Sequence, residues 1–211
     1  MDLRSHAMTC LEEDRIMAVL RQVPADRIVE LADALVEGGV RSLEVTMDYD
    51  RAPHDVEMLH ARFGDRASVG VGTTWTVANA ERAAAAGATF CVLPGVDVAT
   101  AERSAELGML TIPGVQTPAE IQTAIKAGAD VLKLFPADPP GPQFLASVAP
   151  AYPQCPFMAT GGVTIGNMSA FFDSGALAVG MGDTLFGDFN DLAGVASRIS
   201  SVVSIASSEV R

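Results

Sequence analysis

Short apolar runs alternate along this chain with longer stretches whose apolar residues recur at helical spacing. Eight runs have the length and composition of buried strands: RIMAVL (15–20), SLEVT (42–46), ASVGVG (67–72), FCVL (90–93), LTIP (110–113), VLKLF (131–135), FMAT (157–160) and LAVGM (177–181). The segments between them read as helices, several ending at a glycine just before the next run: Gly39, Gly64, Gly87, Gly108 and Gly128, with Gly175 two units later. The five consecutive glycines lie about 20 to 25 residues apart, the length of one compact strand–helix unit. This repetition predicts a single (β/α)8 TIM barrel of the α/β class. An open doubly wound sheet fits less well, because no GxGxxG fingerprint follows the first run.

No linker or composition shift divides the chain. The barrel is expected over residues 15–211, behind a short helical extension over 1–14 in which LEED (11–14) marks a helix start. The segment AGVASRISSVVSIASSEV is expected to form a helix that closes the barrel, with its last few residues frayed.

At 211 residues, 49% hydrophobic and 19% charged, the chain is long and apolar enough to bury a sizeable core. A net charge of -12 argues against nucleic acid or an anionic membrane as partner, since both demand clustered Lys and Arg. Cys10, Cys91 and Cys155 are odd in number and lack CxxC spacing, which points to reduced thiols in a cytoplasmic protein. The N-terminus carries no apolar leader pattern and no window holds 18 uninterrupted apolar residues, so a soluble, unexported chain is expected. His6, His54 and His60 show no metal-ligand spacing, and no metal is expected.

Side chains alternate across a strand, so each run divides into a helix-facing and an inward face. In SLEVT, Leu43 and Val45 suit the helix layer and leave Ser42, Glu44 and Thr46 inward; in VLKLF, Leu132 and Leu134 leave Val131, Lys133 and Phe135 inward. A carboxylate and an amine therefore face one interior. They could form a structural ion pair, a poor source of net stability once desolvated. Alternatively, burial lowers the lysine pKa and frees a neutral amine to attack a ketone, with the carboxylate moving protons.

Further polar groups fall at the carboxyl ends of the runs, where barrels place their sites. Arg21 follows the first run and can hold a substrate anion; Thr73 and Thr74 follow the third, and Trp75 stands at the mouth. Gly70 and Gly72 empty the interior beside them. TGGV (160–163) and GMGDTLF (180–186) end the seventh and eighth runs with the glycine-rich turns that receive a phosphate on backbone N–H groups.

From Ile16 to Phe186 the segments MAVLR, GGVRSLEVT, VGVGTTW, IPGVQTPAE, AGADVLKLFPADPPGPQF, ATGGVTIGN and AVGMGDTLF resemble, in order, the class I aldolases acting on 2-keto-3-deoxy-6-phosphogluconate or 2-keto-3-deoxy-6-phosphogalactonate. The resemblance implies a lyase that splits a 2-keto-3-deoxy sugar acid or related 4-hydroxy-2-oxo acid into pyruvate and an aldehyde, commonly as a homotrimer and without metal or cofactor. It implies that Lys133 forms the imine and that Glu44 moves protons. It further implies that Thr73 binds the pyruvyl carboxylate, Arg21 contacts substrate, Pro94 and Phe135 line the pyruvyl pocket, and Gly162 and Gly182 hold a distal phosphate. Two positions depart from the family pattern. Asp183 replaces a common serine at the phosphate, either facing the ligand or capping the short helix, and Asp48 stands where the phosphogluconate branch tends to have an arginine. Both acids weigh toward an unphosphorylated substrate. Other readings of the same residues are a barrel isomerase or synthase that uses Lys133 as a point charge, and a 2-keto-acid-binding barrel without turnover.

Overall fold

The computed structural model of the chain describes residues 2–208; the expected fraying of the final residues falls at 209–211, outside the described range. Its strands are β1 (Ile16–Leu20), β2 (Ser42–Thr46), β3 (Ser68–Gly72), β4 (Phe90–Val92), β5 (Leu110–Ile112), β6 (Gly114–Val115), β7 (Leu132–Leu134), β8 (Phe157–Thr160) and β9 (Ala176–Met181). The α-helices are α1 (Leu3–Asp14), α2 (Ile28–Glu37), α3 (Ala52–Phe63), α4 (Val77–Ala85), α5 (Val98–Glu106), α6 (Pro118–Lys126), α7 (Gly141–Val148), α8 (Met168–Asp173), α9 (Asp183–Phe186) and α10 (Leu192–Ser208).

All strand pairs are parallel, in the order β5-β4-β3-β2-β1-β9-β8-β7-β6. The two ends of that order, β5 and β6, are separated in the chain only by Pro113, so the sheet closes on itself as an eight-stave α/β barrel. The expected fifth strand, LTIP (110–113), thus stops at Ile112, and β6 is a further short strand beyond it. Pro113 has no N–H to donate to the ladder, while its carbonyl accepts from Lys133 N at 2.9 Å. The helix-ending glycines behave as the pattern predicts: Gly87 after α4 and Gly128 after α6 hold φ of 87° and 86°, a region open to glycine without steric cost.

Two apolar layers organise the barrel. Leu43, Val45, Leu132 and Leu134 face outward and pack with the helices, including Ile28, Leu31 and Leu35 of α2. Met17, Phe90, Val92, Leu110, Ile112, Val131 and Met158 fill the lower interior, and Ala7 and Leu11 of α1 close its floor. LEED therefore ends α1 instead of starting a helix. Asp2 caps the N-terminus by accepting from Ser5 N at 2.8 Å, and Arg15, at φ 59°, stops the helix in a left-handed conformation that keeps it out of β1. Ion pairs Arg4–Asp130 and Arg41–Asp14 fasten this plug to the barrel wall. With the floor filled by apolar side chains, the interior stays open only toward the carboxyl ends of the strands.

Candidate active site

A cavity of about 310 Å³ opens at that end, with Val19, Glu44, Lys133, Phe135, Thr160 and Gly180 in its wall and the Gly161–Val163 and Gly182–Thr184 turns beside them. Alternation along β2 and β7 puts Glu44 and Lys133 inside, because their neighbours Leu43, Val45, Leu132 and Leu134 belong to the outer layer. Room for the carboxylate comes from β3: a Cβ on Gly72 would overlap Glu44 Oε1. Likewise Gly180 leaves space for Thr160, whose hydroxyl a Cβ there would strike.

Glu44 is 1% exposed and Lys133 5%, yet no ion pair within 4.0 Å joins them among the described residues. Glu44 Oε2 has no hydrogen-bond partner, and Lys133 Nζ lies 4.5 Å from the centre of the Phe135 ring. Burial pushes the Glu44 carboxyl above the ordinary carboxylate range, against the pull of Lys133 and Arg21. Burial pushes the Lys133 amine below the ordinary lysine range, with Glu44 opposing the shift and Arg21 adding to it. A closed structural salt bridge would satisfy Glu44 Oε2, which instead has no partner.

Arg21 stands at the mouth. Its Nη1 lies 2.7 Å from Asp48 Oδ2 and its Nη2 donates to Thr73 Oγ1 at 3.1 Å, while Gln22 Nε2 donates to the same Asp48 oxygen at 3.3 Å. Partial burial opposes ionisation of Asp48, but the Thr46 hydroxyl and Arg21 outweigh it and hold its pKa below the ordinary aspartate range. Thr73 itself adopts φ 55°, an uncommon conformation for a residue with a Cβ.

Lys133, Glu44, Arg21, Phe135, Gly162, Gly182 and Asp183 all border this one cavity. Thr73 joins them through its bond to Arg21. Pro94 does not: with Thr74, Trp75 and Asp97 it lines a separate pocket of about 250 Å³, and its carbonyl lies where a Cβ on Gly114 would have to fit. Asp183 is the exposed first residue of α9, and Gly182 takes the cap position, so Asp183 lies in the first turn and is not the N-cap. Thr184 Oγ1 joins the two neighbouring turns by donating to Val163 O at 2.8 Å, and Asn167 Nδ2 braces the first of them by donating to Gly162 O at 3.0 Å.

Sequence reasoning passed over Thr160 as a side chain. It is 6% exposed, its Oγ1 lacks a partner, and it faces the cavity from β8. Its inward register, two positions beyond buried Met158, was the available signal. Elsewhere, Cys10, Cys91 and Cys155 are free and buried, and among the described residues no group of three or more His, Cys, Asp or Glu is arranged to hold a metal. Among the same residues no helix is long and apolar enough to cross a membrane.

Comparison with known proteins agrees with this geometry. The 2-dehydro-3-deoxy-6-phosphogalactonate aldolase of Escherichia coli (strain K12) is 28% identical over 172 residues, covering 81% of this chain and 84% of its own. The 2-dehydro-3-deoxy-phosphogluconate aldolase of Treponema pallidum (strain Nichols) is 33% identical over 162 residues, covering 76% and 77%. A KDPG aldolase from Legionella pneumophila, solved with pyruvate captured at low pH as a covalent carbinolamine intermediate, superposes with a TM-score of 0.81 at 25% identity, covering 96% of this chain and 97% of that one. The family described as "KDPG and KHG aldolase" matches residues 8–195, and the chain belongs to that aldolase family.

Proposed function

We propose that this aldolase cleaves a 2-keto-3-deoxy sugar acid, or a related 4-hydroxy-2-oxo acid, to pyruvate and an aldehyde through a Schiff base on Lys133. The observation that carries the reading is the pair of buried, oppositely charged groups, Glu44 and Lys133, that border one cavity without bonding each other.

The depressed Lys133 pKa supplies a neutral amine that attacks the C2 ketone. Glu44, with its raised pKa, donates a proton so that the carbinolamine loses water and becomes a protonated imine. As a carboxylate, Glu44 then removes the C4 hydroxyl proton; the C3–C4 bonding pair flows into the imine, leaving an aldehyde and an enamine. Protonation of the enamine at C3 gives the pyruvyl imine, and water hydrolyses it to pyruvate and free Lys133. The imine is the electron sink, so the reaction as written draws on no metal or cofactor. Arg21 and Thr73, bonded to each other at 3.1 Å, offer the substrate carboxylate a cation and a hydroxyl at the mouth. Phe135 walls the pyruvyl end. The backbone turns at Gly162 and Gly182 receive the distal end of the substrate.

The reading extends to a homotrimer in the cytoplasm. Its supports are the exposed rim residues Trp75 (62%) and Val98 (40%), which suit a subunit contact, and three buried free thiols, which suit a reducing compartment. The central test is intact mass after incubation with pyruvate and borohydride, with Lys133→Ala as control. An adduct on the wild type alone is expected, and absence of an adduct on both defeats the Schiff-base reading.

A further inference from the structure

The rim that meets the substrate's distal end bears a carboxylate and no cation. Asp183 borders the cavity beside Gly162, Gly182 and Thr184, exposed in the first turn of α9 and not at its cap position. Among the described residues no Lys or Arg pairs with it. The two cations that do border the cavity are placed elsewhere. Lys133 sits on the buried floor, at 5% exposure. Arg21 follows β1, which lies between β2 and β9, and its guanidinium is engaged by Asp48 after β2 and Thr73 after β3, not by the β9 turn that carries Asp183.

A phosphate dianion on this rim would set like charges side by side without a counter-ion. A hydroxylated chain end has no such conflict, since its O–H groups donate to Asp183 and its oxygens accept from the backbone N–H groups of the turns. Building on the aldolase reading above, we propose that Asp183 is a specificity-determining residue that selects a substrate whose distal end is an uncharged, hydroxylated chain and rejects the 6-phosphorylated counterpart.

The experiment measures kcat/KM for 6-phosphorylated and unphosphorylated 2-keto-3-deoxy hexonates of both C4 configurations, in wild type, Asp183→Asn and Asp183→Glu, beside pyruvate trapping on Lys133. Wild type is expected to favour the unphosphorylated acid. Asp183→Asn should move the ratio toward the phosphorylated acid by about tenfold or more, and Asp183→Glu, which keeps the charge, should stay near wild type. A tenfold wild-type preference for the phosphorylated acid, or an unmoved ratio in Asp183→Asn, overturns the inference. So does failure to cleave either acid by a protein that still traps pyruvate. A protein that traps no pyruvate fails at the Schiff-base reading, and the inference falls with it.

Discussion

Gly72 and Glu44 share one volume: a methyl group on the glycine of β3 would overlap the carboxylate oxygen of the glutamate on β2. Gly72 pairs with Thr46, two residues beyond Glu44, so the missing side chain lies directly over the Glu44 carboxylate. Gly72→Ala must therefore displace Glu44 or bend β3. The expected result is a loss of kcat of about 100-fold or more from misplacement of the proton carrier. Overpacking should also lower stability by about 1–3 kcal/mol. Pyruvate trapping measured beside kcat and thermal melting separates the two effects, because Lys133 keeps its place and the adduct should still form, more slowly. Wild-type turnover in Gly72→Ala would refute this placement of Glu44.

Lys133 is held at a cost to folding. Its pKa is lower folded than unfolded, so between the two values the unfolded chain binds more protons, and this group's contribution to stability rises with pH across that window. Replacing it by Met removes an amine that folding must either desolvate as an ammonium or deprotonate. Glu44 then loses the charge that lowers its own pKa and turns neutral more readily, so no buried charge is stranded. Lys133→Met should be inactive yet more stable than wild type by about 1 kcal/mol or more near neutral pH, with the advantage shrinking as pH climbs toward the ordinary lysine value of about 10.4. Denaturant melts at several pH values check this; a destabilised Lys133→Met would mean that the lysine serves the fold.

The barrel and this pair were legible in the sequence for one reason. Period-two alternation in SLEVT and VLKLF assigns every second side chain to the interior, and the structure puts Leu43, Val45, Leu132 and Leu134 in the outer layer as that alternation requires. The break at Pro113 was not legible as a change of partner, because which neighbour a strand end pairs with depends on sheet closure and not on local pattern. Nor was the direction of α1, where an acidic LEED resembles a helix start while the actual cap, Asp2, lies one residue ahead of the helix and the left-handed turn at Arg15 ends it. Pro94, placed by position at the pyruvyl pocket, lines a neighbouring pocket with Thr74, Trp75 and Asp97, and no local pattern shows which of two adjacent pockets a wall residue borders.

Thr160 offers an unpartnered hydroxyl in the wall of the cavity, 6% exposed. A buried hydroxyl without a partner costs stability, so the isosteric Thr160→Val should leave the fold unchanged or slightly firmer. If the hydroxyl bonds the carbinolamine or the substrate hydroxyl, its loss should lower kcat/KM by about tenfold, the worth of one hydrogen bond to a charged or charge-developing group. Parallel melting and kinetics decide it, and unaltered kinetics would reduce Thr160 to a wall.

The Glu44 charge also sets the pH at which Lys133 becomes a nucleophile. Glu44 raises the lysine pKa, opposing the burial that lowers it. Glu44→Gln removes that support while nearly preserving shape, so the lysine should lose its proton at lower pH. Borohydride trapping of pyruvate should accordingly reach half its limiting rate at a more acidic pH in Glu44→Gln than in wild type. The limiting rate itself should fall by about 100-fold or more, because proton transfer to the departing water is lost. The two effects have different origins and separate cleanly: the midpoint reports the electrostatic coupling across the cavity, and the plateau reports acid–base catalysis. A midpoint shifted toward alkaline pH would contradict the sign of the coupling between Glu44 and Lys133.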